Sequence, residues 1–429
     1  MANKGLIKRK INQLVKDFFV LQKQKFIPGK TKIPINVPSF DWPEVNEVID
    51  SLLSTFVTMG KKVSKFEEMW EKYLGVKNAI MVNSGSSANL LALSVLSNPT
   101  LKNRIKPGDE IIVPAVAWST TFFPILNIGA VPVLADVNLD DFNINIDSLK
   151  KAITRKTKAV IVVHLLGNPA RITEIMKIAR KHQLFVVEDG CEASGTKYKG
   201  KKIGTFGDIG TFSFYFSHHI NTIEGGMVVT NNNYFAELAR ISRTHGLIKG
   251  MKKKGRIAKK YQKIDKRFLF VNMGYNFKPT EVQGAFGIHQ LKKLERFIRI
   301  RRENAAYWTD KLSAYSKYLF LPKRKEKAGD RKSWFGYSVF VKPGAPFRKK
   351  ELVNFLEKKG IETRPMMSGN FAQQPALKLF NYRIAGKLTN SDRIMNQAFF
   401  FGNHQGIGPK EREYIADCFT EFFKKYGKR

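Results

Sequence analysis

Cysteine is scarce. Cys191 and Cys418 are the only two in 429 residues, too few for a disulfide framework, so a reducing cytoplasm is the expected setting. Long apolar runs are missing too. No stretch approaches the roughly 20 residues that span a bilayer. The segment after the basic Lys4, Lys8, Arg9 and Lys10, INQLVKDFFVLQKQK, is broken by polar residues where a signal peptide would be apolar. A soluble protein is expected. Acid is also in short supply: 36 Asp and Glu stand against 74 Lys and Arg, a formal net charge of +38. Such an excess invites polyanionic partners or an anionic membrane. Yet the lysines are scattered, and the densest stretch, Lys249 to Arg267 with ten basic residues and Asp265, carries no zinc knuckle or other nucleic-acid motif. The excess reads mainly as solvated surface, with no specific nucleic-acid partner. Internal repeats and low-complexity linkers are absent.

What is present is ordinary globular composition, 43% hydrophobic and 26% charged, in a chain long enough for a large domain and a smaller one. Residues 1–45 read as a helix followed by an arm containing Pro28, Pro34, Pro38 and Pro43. Amphipathic helical spacing follows in WPEVNEVIDSLLSTF and VSKFEEMWEKYLG. Short apolar runs then alternate with helical patterns. AIMVNSG, EIIVPAVAW, VPVLADV, AVIVVHLLG and LFVVEDG read as buried strands, and SANLLALSVLS, IDSLKKAI and ITEIMKIARKH as helices. That rhythm predicts an α/β unit with a mostly parallel sheet between helices. GTFSFYF and GMVVT read as two more strands joined by a tight excursion. After about residue 300 the texture changes to a smaller α+β unit. The expected division is 1–45, 46–300 and 301–429.

Three constellations carry candidate chemistry. In NSGSSANLL a strand ends at Asn83 and a helix opens near Ser87; helix N-termini bind phosphate well, although a capping turn explains the same residues. In VVEDGCEASG, Asp189 closes an apolar strand, where open α/β sheets bind ligands. A carboxylate there can hold a protonated pyridinium nitrogen, or merely cap a turn. In GTFSFYFSHHINTIEGGMVVT, Ser213 offers a second phosphate contact, and His218 and His219 precede Glu224 by six and five residues. Adjacent histidines raise the thought of a metal, but no further ligand set accompanies them.

Taken together, these pieces resemble the DegT/DnrJ/EryC1/StrS sugar aminotransferases, fold-type I pyridoxal-phosphate proteins. The resemblance runs from about Pro28 to the C-terminus through TMGKKVSKFEEMW, NSGSSANLLAL, VPAVAWSTTFFPI, HLLGNPARI, VVEDGCEASG, GTFSFYFSHH, EGGMVVT and GYNFKPTEVQGAFG. It implies that Ser86, Ser87 and Ser213 hold the cofactor phosphate, that Trp118 stacks on the pyridine ring, and that Asp189 pairs with the ring nitrogen. Glu192 belongs with them in the cofactor pocket. Asn276 would reach the phosphate in the neighbouring subunit's site, which implies a homodimer with shared sites.

One position departs from the family pattern. Six residues before the Glu of EGG the family has lysine, whose primary amine bonds covalently to the cofactor aldehyde; here it is His218. Imidazole has no primary amine, so pyridoxal or pyridoxamine 5'-phosphate must be held by noncovalent contacts, while the histidine can still move protons. The exchange resembles the 3-dehydratases of 3,6-dideoxysugar synthesis, in which the amine form of the cofactor condenses with the C4 ketone of a nucleotide 4-keto-6-deoxyhexose and the C3 hydroxyl leaves. A CDP-sugar branch holds a two-iron cluster on four cysteines. Cys191 matches the first, but Cys418 is the only other thiol, so no iron–sulfur cluster is expected. A GDP-sugar branch has no cluster and regenerates its amine from L-glutamate. RTHGLIKG resembles that branch, with His245 at a matching position and Lys249 where it has arginine; lysine lacks the bidentate fork. The long N-terminal part looks more like the CDP branch. The expectation is a glutamate-coupled 3-dehydratase with His218 as base. Weighed against it are deoxygenation with another reductant, an ordinary aminotransferase, a noncatalytic binding protein and a polyanion binder.

Overall fold

The computed structural model describes residues 3–21, 25–251, 255–323 and 326–426. Fourteen strands follow one another among the described residues: β1 Asn78–Val82, β2 Glu110–Pro114, β3 Val131–Ala135, β4 Thr157–Val163, β5 Phe185–Asp189, β6 Lys197–Tyr198, β7 Lys201–Lys202, β8 Ile209–Ser213, β9 Gly226–Thr230, β10 Leu319–Phe320, β11 Gly336–Val341, β12 Thr363–Pro365, β13 Arg383–Ile384 and β14 Ala398–Gly402. Eight of them form one sheet in the order β1-β9-β8-β5-β4-β2-β3-β13. From β8 to β13 every pairing is parallel, and β9 runs antiparallel between β1 and β8.

Successive side chains of a strand point to opposite faces, and the apolar runs exploit this on both sides. Ile80, Val82, Ile111, Val113, Ile161 and Val163 pack into one core with the helices Gly85–Leu96, Ser119–Asn127 and Asn233–Arg243. Ala79, Met81, Ile112, Val160 and Val162 pack into another, with Lys61–Leu74, Ile172–Lys181 and the start of the 32-residue helix Glu281–Leu312. A sheet covered on both faces is what near-continuous Val/Ile runs require, and the fold-type I architecture expected from the sequence is the one observed.

RRENAAYWTDKL is the C-terminal part of that long helix, which runs unbroken through residue 300, and Ser313–Tyr315 closes it with a 3-10 turn. Beyond it, β10, β11, β14 and β12 form a four-stranded antiparallel sheet. The helices Lys349–Lys358 and Pro409–Tyr426 lie with it around a third core holding Trp308, Tyr337, Phe401 and Phe419. Cys418 is buried there. The strand β13 returns from this C-terminal part to the edge of the large sheet. An N-terminal helix, Lys4–Leu21, precedes the arm. Among the described residues no helix is long and apolar enough to cross a membrane. Within the basic run 249–267, Lys252, Lys253 and Lys254 lie outside the described residues.

Candidate active site

The parallel strands end together, and a cavity of about 590 Å³ opens at their carboxyl ends, the place where open α/β sheets bind ligands. Val163 closes β4, Asp189 closes β5 and Ser213 closes β8, and all three line it. The floor is the N-terminus of the helix Gly85–Leu96. Its cap is Ser84, whose hydroxyl accepts from the Ser87 amide at 3.1 Å, so the helix starts at Gly85, earlier than the sequence pattern suggested. The first amides of a helix have no intrahelical partner, and those of Gly85 and Ser86 open on the cavity with the Ser86 side chain. Ser213 crosses so close that a Cβ on Gly85 would lie 2.5 Å from its own; only glycine lets strand and helix end share this corner. Ser87 points elsewhere, with its hydroxyl 3.0 Å from that of Ser84.

Asp189 is 5% exposed. Its Oδ2 accepts from Asn89 Nδ2 and Thr121 Oγ1, both at 2.9 Å, and its Oδ1 from the Cys191 amide at 3.1 Å. All are neutral donors, and among the described residues no cationic side chain pairs with it. Asn89 is fixed in turn by Thr211 Oγ1 at 2.6 Å and donates to the Thr120 carbonyl at 3.2 Å. Trp118, at the start of the helix Ser119–Asn127, lines the cavity yet is 58% exposed, an aromatic face without a partner ring. Glu192 accepts the Leu166 amide at 2.8 Å. Burial, and then the charge of Asp189, push its carboxyl up to about 8, so it is largely protonated at neutral pH. Burial and the same carboxylate push the Cys191 thiol upward, against thiolate formation.

The adjacent histidines face different ways. His218 lines the cavity, its ring edge-on to Tyr215 and Phe335 at centroid distances of 6.0 and 5.2 Å. Its Nδ1 is buried without a partner among the described residues, leaving Nε2 as the nitrogen on the cavity side. Burial, then the positive field of Arg301, hold the imidazole down at about 3, so it is neutral in water near pH 7. His219 is fully buried and bonds the Ser333 carbonyl through Nε2 at 3.1 Å. The excursion between β8 and β9 is pinned by Asn221, whose amide donates to Gln290 Oε1 at 3.1 Å and whose Nδ2 donates to Ser39 Oγ at 2.8 Å. No lysine lines the cavity among the described residues.

Asn276, His245 and Lys249 do not line this cavity. They are exposed and lie on one separate patch. Thr244 and Asn276 form a β-bridge, Lys278 Nζ stands 2.7 Å from His245 Nε2, and Lys278 also bonds Asn276 Oδ1. Desolvation, then the charges of Lys278 and Lys249, keep the His245 imidazole below its ordinary range. Sequence reasoning missed Asn89, Thr121, Phe335 and Arg364. Asn89 and Thr121 stood inside the quoted motifs and were legible as polar residues on otherwise apolar faces. Arg364 in β12, which lines the cavity and pairs with Glu362, and Phe335 arrive from the C-terminal part with no local signal.

The model of the DegT/DnrJ/EryC1/StrS aminotransferase family matches residues 39–420. The chain belongs to that family. The GDP-4-keto-6-deoxy-D-mannose 3-dehydratase of Yersinia pseudotuberculosis is 41% identical over 381 residues, covering 87% of this chain and 95% of that protein. The dTDP-4-dehydro-2,6-dideoxy-D-glucose 3-dehydratase of Saccharopolyspora spinosa is 37% identical over 436 residues, covering 97% and 92%. A crystal structure of GDP-4-keto-6-deoxymannose-3-dehydratase with a trapped PLP-glutamate geminal diamine superposes with a TM-score of 0.83 at 38% identity, covering 90% of this chain and 99% of that one.

Proposed function

We infer that the chain is a pyridoxal/pyridoxamine-phosphate-dependent lyase that removes the C3 hydroxyl of a nucleotide-linked 4-keto-6-deoxyhexose, a 3-dehydratase of dideoxysugar synthesis. One observation carries this reading: the cavity holds a buried carboxylate and a neutral imidazole and, among the described residues, no lysine. The relatives named above act on sugars carried by two different nucleotides, so the nucleotide is left open.

The residues present fit the cofactor. Asp189 is a buried carboxylate supplied with neutral donors only, and a protonated pyridine nitrogen meets its need for a cation. The corner of Gly85, Ser86 and Ser213 is a cradle of free amides and hydroxyls suited to a phosphate, with Ser87 behind it. Trp118 offers the ring face, and protonated Glu192 offers a donor to an anionic ring oxygen. When bound, the cofactor supplies an amine for the C4 ketone and an electron sink.

The chain's own groups do the rest. His218 Nε2 is the proton acceptor of the cavity, and the imidazolium so formed is the acid for the departing C3 hydroxyl. Its depressed basicity makes that imidazolium a ready donor. Arg364 is the guanidinium of the wall and takes the carboxylate of L-glutamate. The patch of His245, Lys249 and Asn276 completes the cavity of a second subunit in a homodimer. The exposed Phe268, Phe270 and Met273 beside it, and Phe56, support a covered surface. The test is incubation with pyridoxamine phosphate, glutamate and a panel of 4-keto-6-deoxy nucleotide sugars, read by mass spectrometry. A product lacking the C3 oxygen is expected; a 4-amino sugar with that oxygen retained would return the chain to the aminotransferases.

A further inference from the structure

Behind His218 lies a buried cation that the reaction as described does not use. Arg301, in the helix Glu281–Leu312, is 1% exposed. No carboxylate pairs with it among the described residues. It donates instead to main-chain carbonyls, Phe335 at 2.9 Å, Trp334 at 3.3 Å and Asn403, and to Asn36 Oδ1 at 3.5 Å. Its Nε has no partner among the described residues. Burying a guanidinium without a counter-ion is costly, so an arginine here calls for a role that an apolar residue cannot fill.

Two of these carbonyls, those of Trp334 and Phe335, belong to a strained crossing of two segments. Trp334 and Leu166 both sit in the left-handed region, at φ 54° and 50°, a conformation that costs of order 1–3 kcal/mol where it persists. The Phe335 amide donates to the Leu166 carbonyl at 3.1 Å, and the Ser333 amide to the Gly167 carbonyl at 3.2 Å. From this crossing two arms reach the cavity. The Leu166 amide holds the Glu192 carboxyl at 2.8 Å. The Phe335 ring packs edge-on to His218, and the Ser333 carbonyl anchors His219 next to it. One guanidinium therefore stands behind the segments that hold both ionisable groups.

We propose that Arg301 is a positioning residue, which locks the strained crossing of Leu166–Gly167 and Ser333–Phe335 so that His218 and Glu192 are held in register. Its charge also acts on the imidazole, from which it is separated by Phe335: the guanidinium bonds the Phe335 carbonyl at 2.9 Å, and the Phe335 ring lies 5.2 Å from that of His218. The proposal's first half concerns this chain alone; its kinetic half rests on the 3-dehydratase reading. The ionisable groups around the imidazole are few. Tyr215, His219 and Glu224 stand on its own segment, Asp189, Cys191, Glu192 and Arg364 across the cavity, and Arg301 behind it. Burial is the larger cause of its low basicity and Arg301 the named charge, so removing the charge leaves part of the depression in place.

The test replaces Arg301 by Gln and by Lys and reads two things. In cofactor-free protein, the pH dependence of His218 carbethoxylation, mapped by tandem mass spectrometry against His219, reports the neutral fraction of the ring. In Arg301→Gln its midpoint should rise by about 1 pH unit; in Arg301→Lys, which keeps the charge, it should stay. In turnover, both variants should lose about 10- to 100-fold in kcat with KM little changed, because the fork that fixes the crossing is gone. An unshifted midpoint in a folded Arg301→Gln overturns the electrostatic half, and wild-type kcat in Arg301→Lys overturns the positioning half. If Arg301→Gln does not fold, Arg301→Lys still decides the second, and Phe335→Leu with the same reagent reads the alignment of the ring. Should wild-type protein dehydrate no sugar at all, the carbethoxylation arm stands unaffected and only the proposed function falls.

Discussion

Two regions of this molecule carry the residues singled out as functional, and they are built differently. The cavity is assembled inside one chain: parallel strands bring Asp189, Ser213 and Val163 to one edge, and each side chain has buried partners that fix it. The patch of His245, Lys249 and Asn276 is exposed, cationic and held by little besides Lys278. With its imidazole held below the ordinary range, His245 accepts from the Lys278 ammonium at 2.7 Å, and Lys278 and Lys249 leave the patch cationic. An anion or a neighbouring subunit gives the patch a use. The difference is one of burial: the cavity is organised by its own fold, whereas the patch is open to solvent within a single chain.

The sharpest way to break this comparison is at His218. His218→Asn should lower turnover by about 10²- to 10⁴-fold while cofactor absorbance is kept, and borohydride treatment of the wild type with pyridoxal phosphate should leave no adduct on a cavity residue. Asp189→Asn comes next. The one carboxamide oxygen can still accept from Asn89 and Thr121 while the Cys191 amide loses its acceptor, so the fold should survive, but loss of the charge should lower kcat by about 10²-fold. Wild-type turnover at equal cofactor occupancy would remove Asp189 from the role.

The third test addresses the patch. His218→Asn and His245→Asn subunits, each inactive alone, should recover about a quarter of wild-type activity when mixed, through one intact site per mixed dimer. No recovery, with mixed dimers demonstrated by mass, would leave the patch outside the site.

The fourth reads stability. Burial, then Arg301, hold His218 and His404 at about 3 and His219 well below its ordinary value, whereas unfolded histidine titrates near about 6.5. Between those values the unfolded chain binds more protons than the native one, so stability rises with pH and is lost as pH falls through about 6.5. Each histidine adds a slope of at most about 1.4 kcal/mol per pH unit. A flat Tm between neutral pH and mildly acidic pH would contradict the burial of all three. The smallest effect is expected at Cys191→Ser, which should keep most activity because the thiol stays protonated and the bond from the residue's amide to Asp189 is retained.

Much of this was legible in the residues. Period-2 and continuous apolar runs mark β1 to β5 because both faces of the sheet are covered, and the order of short motifs carries the family. The register of the two histidines was harder. His218 and His219 are chemically identical neighbours, and only the packing of the excursion against Ser39, Gln290 and Ser333 turns one ring into the cavity and the other into the core. Ser87 stands in the same recognisable motif but outside the cavity lining, its hydroxyl beside that of the cap Ser84.

The sequence by itself determined the sheet, the two-sided core, the carboxylate at the end of β5 and the absence of a lysine six residues before Glu224, because these depend on local pattern and on which side chain occupies a position. The tertiary structure alone decided that Phe335 and Arg364 reach the cavity from the C-terminal part, that Arg301 lies buried behind His218 without an acid, and that Asn276, His245 and Lys249 stand apart from it. Those outcomes depend on contacts between segments tens to hundreds of residues apart, whose partners, burial and electric field no local pattern encodes.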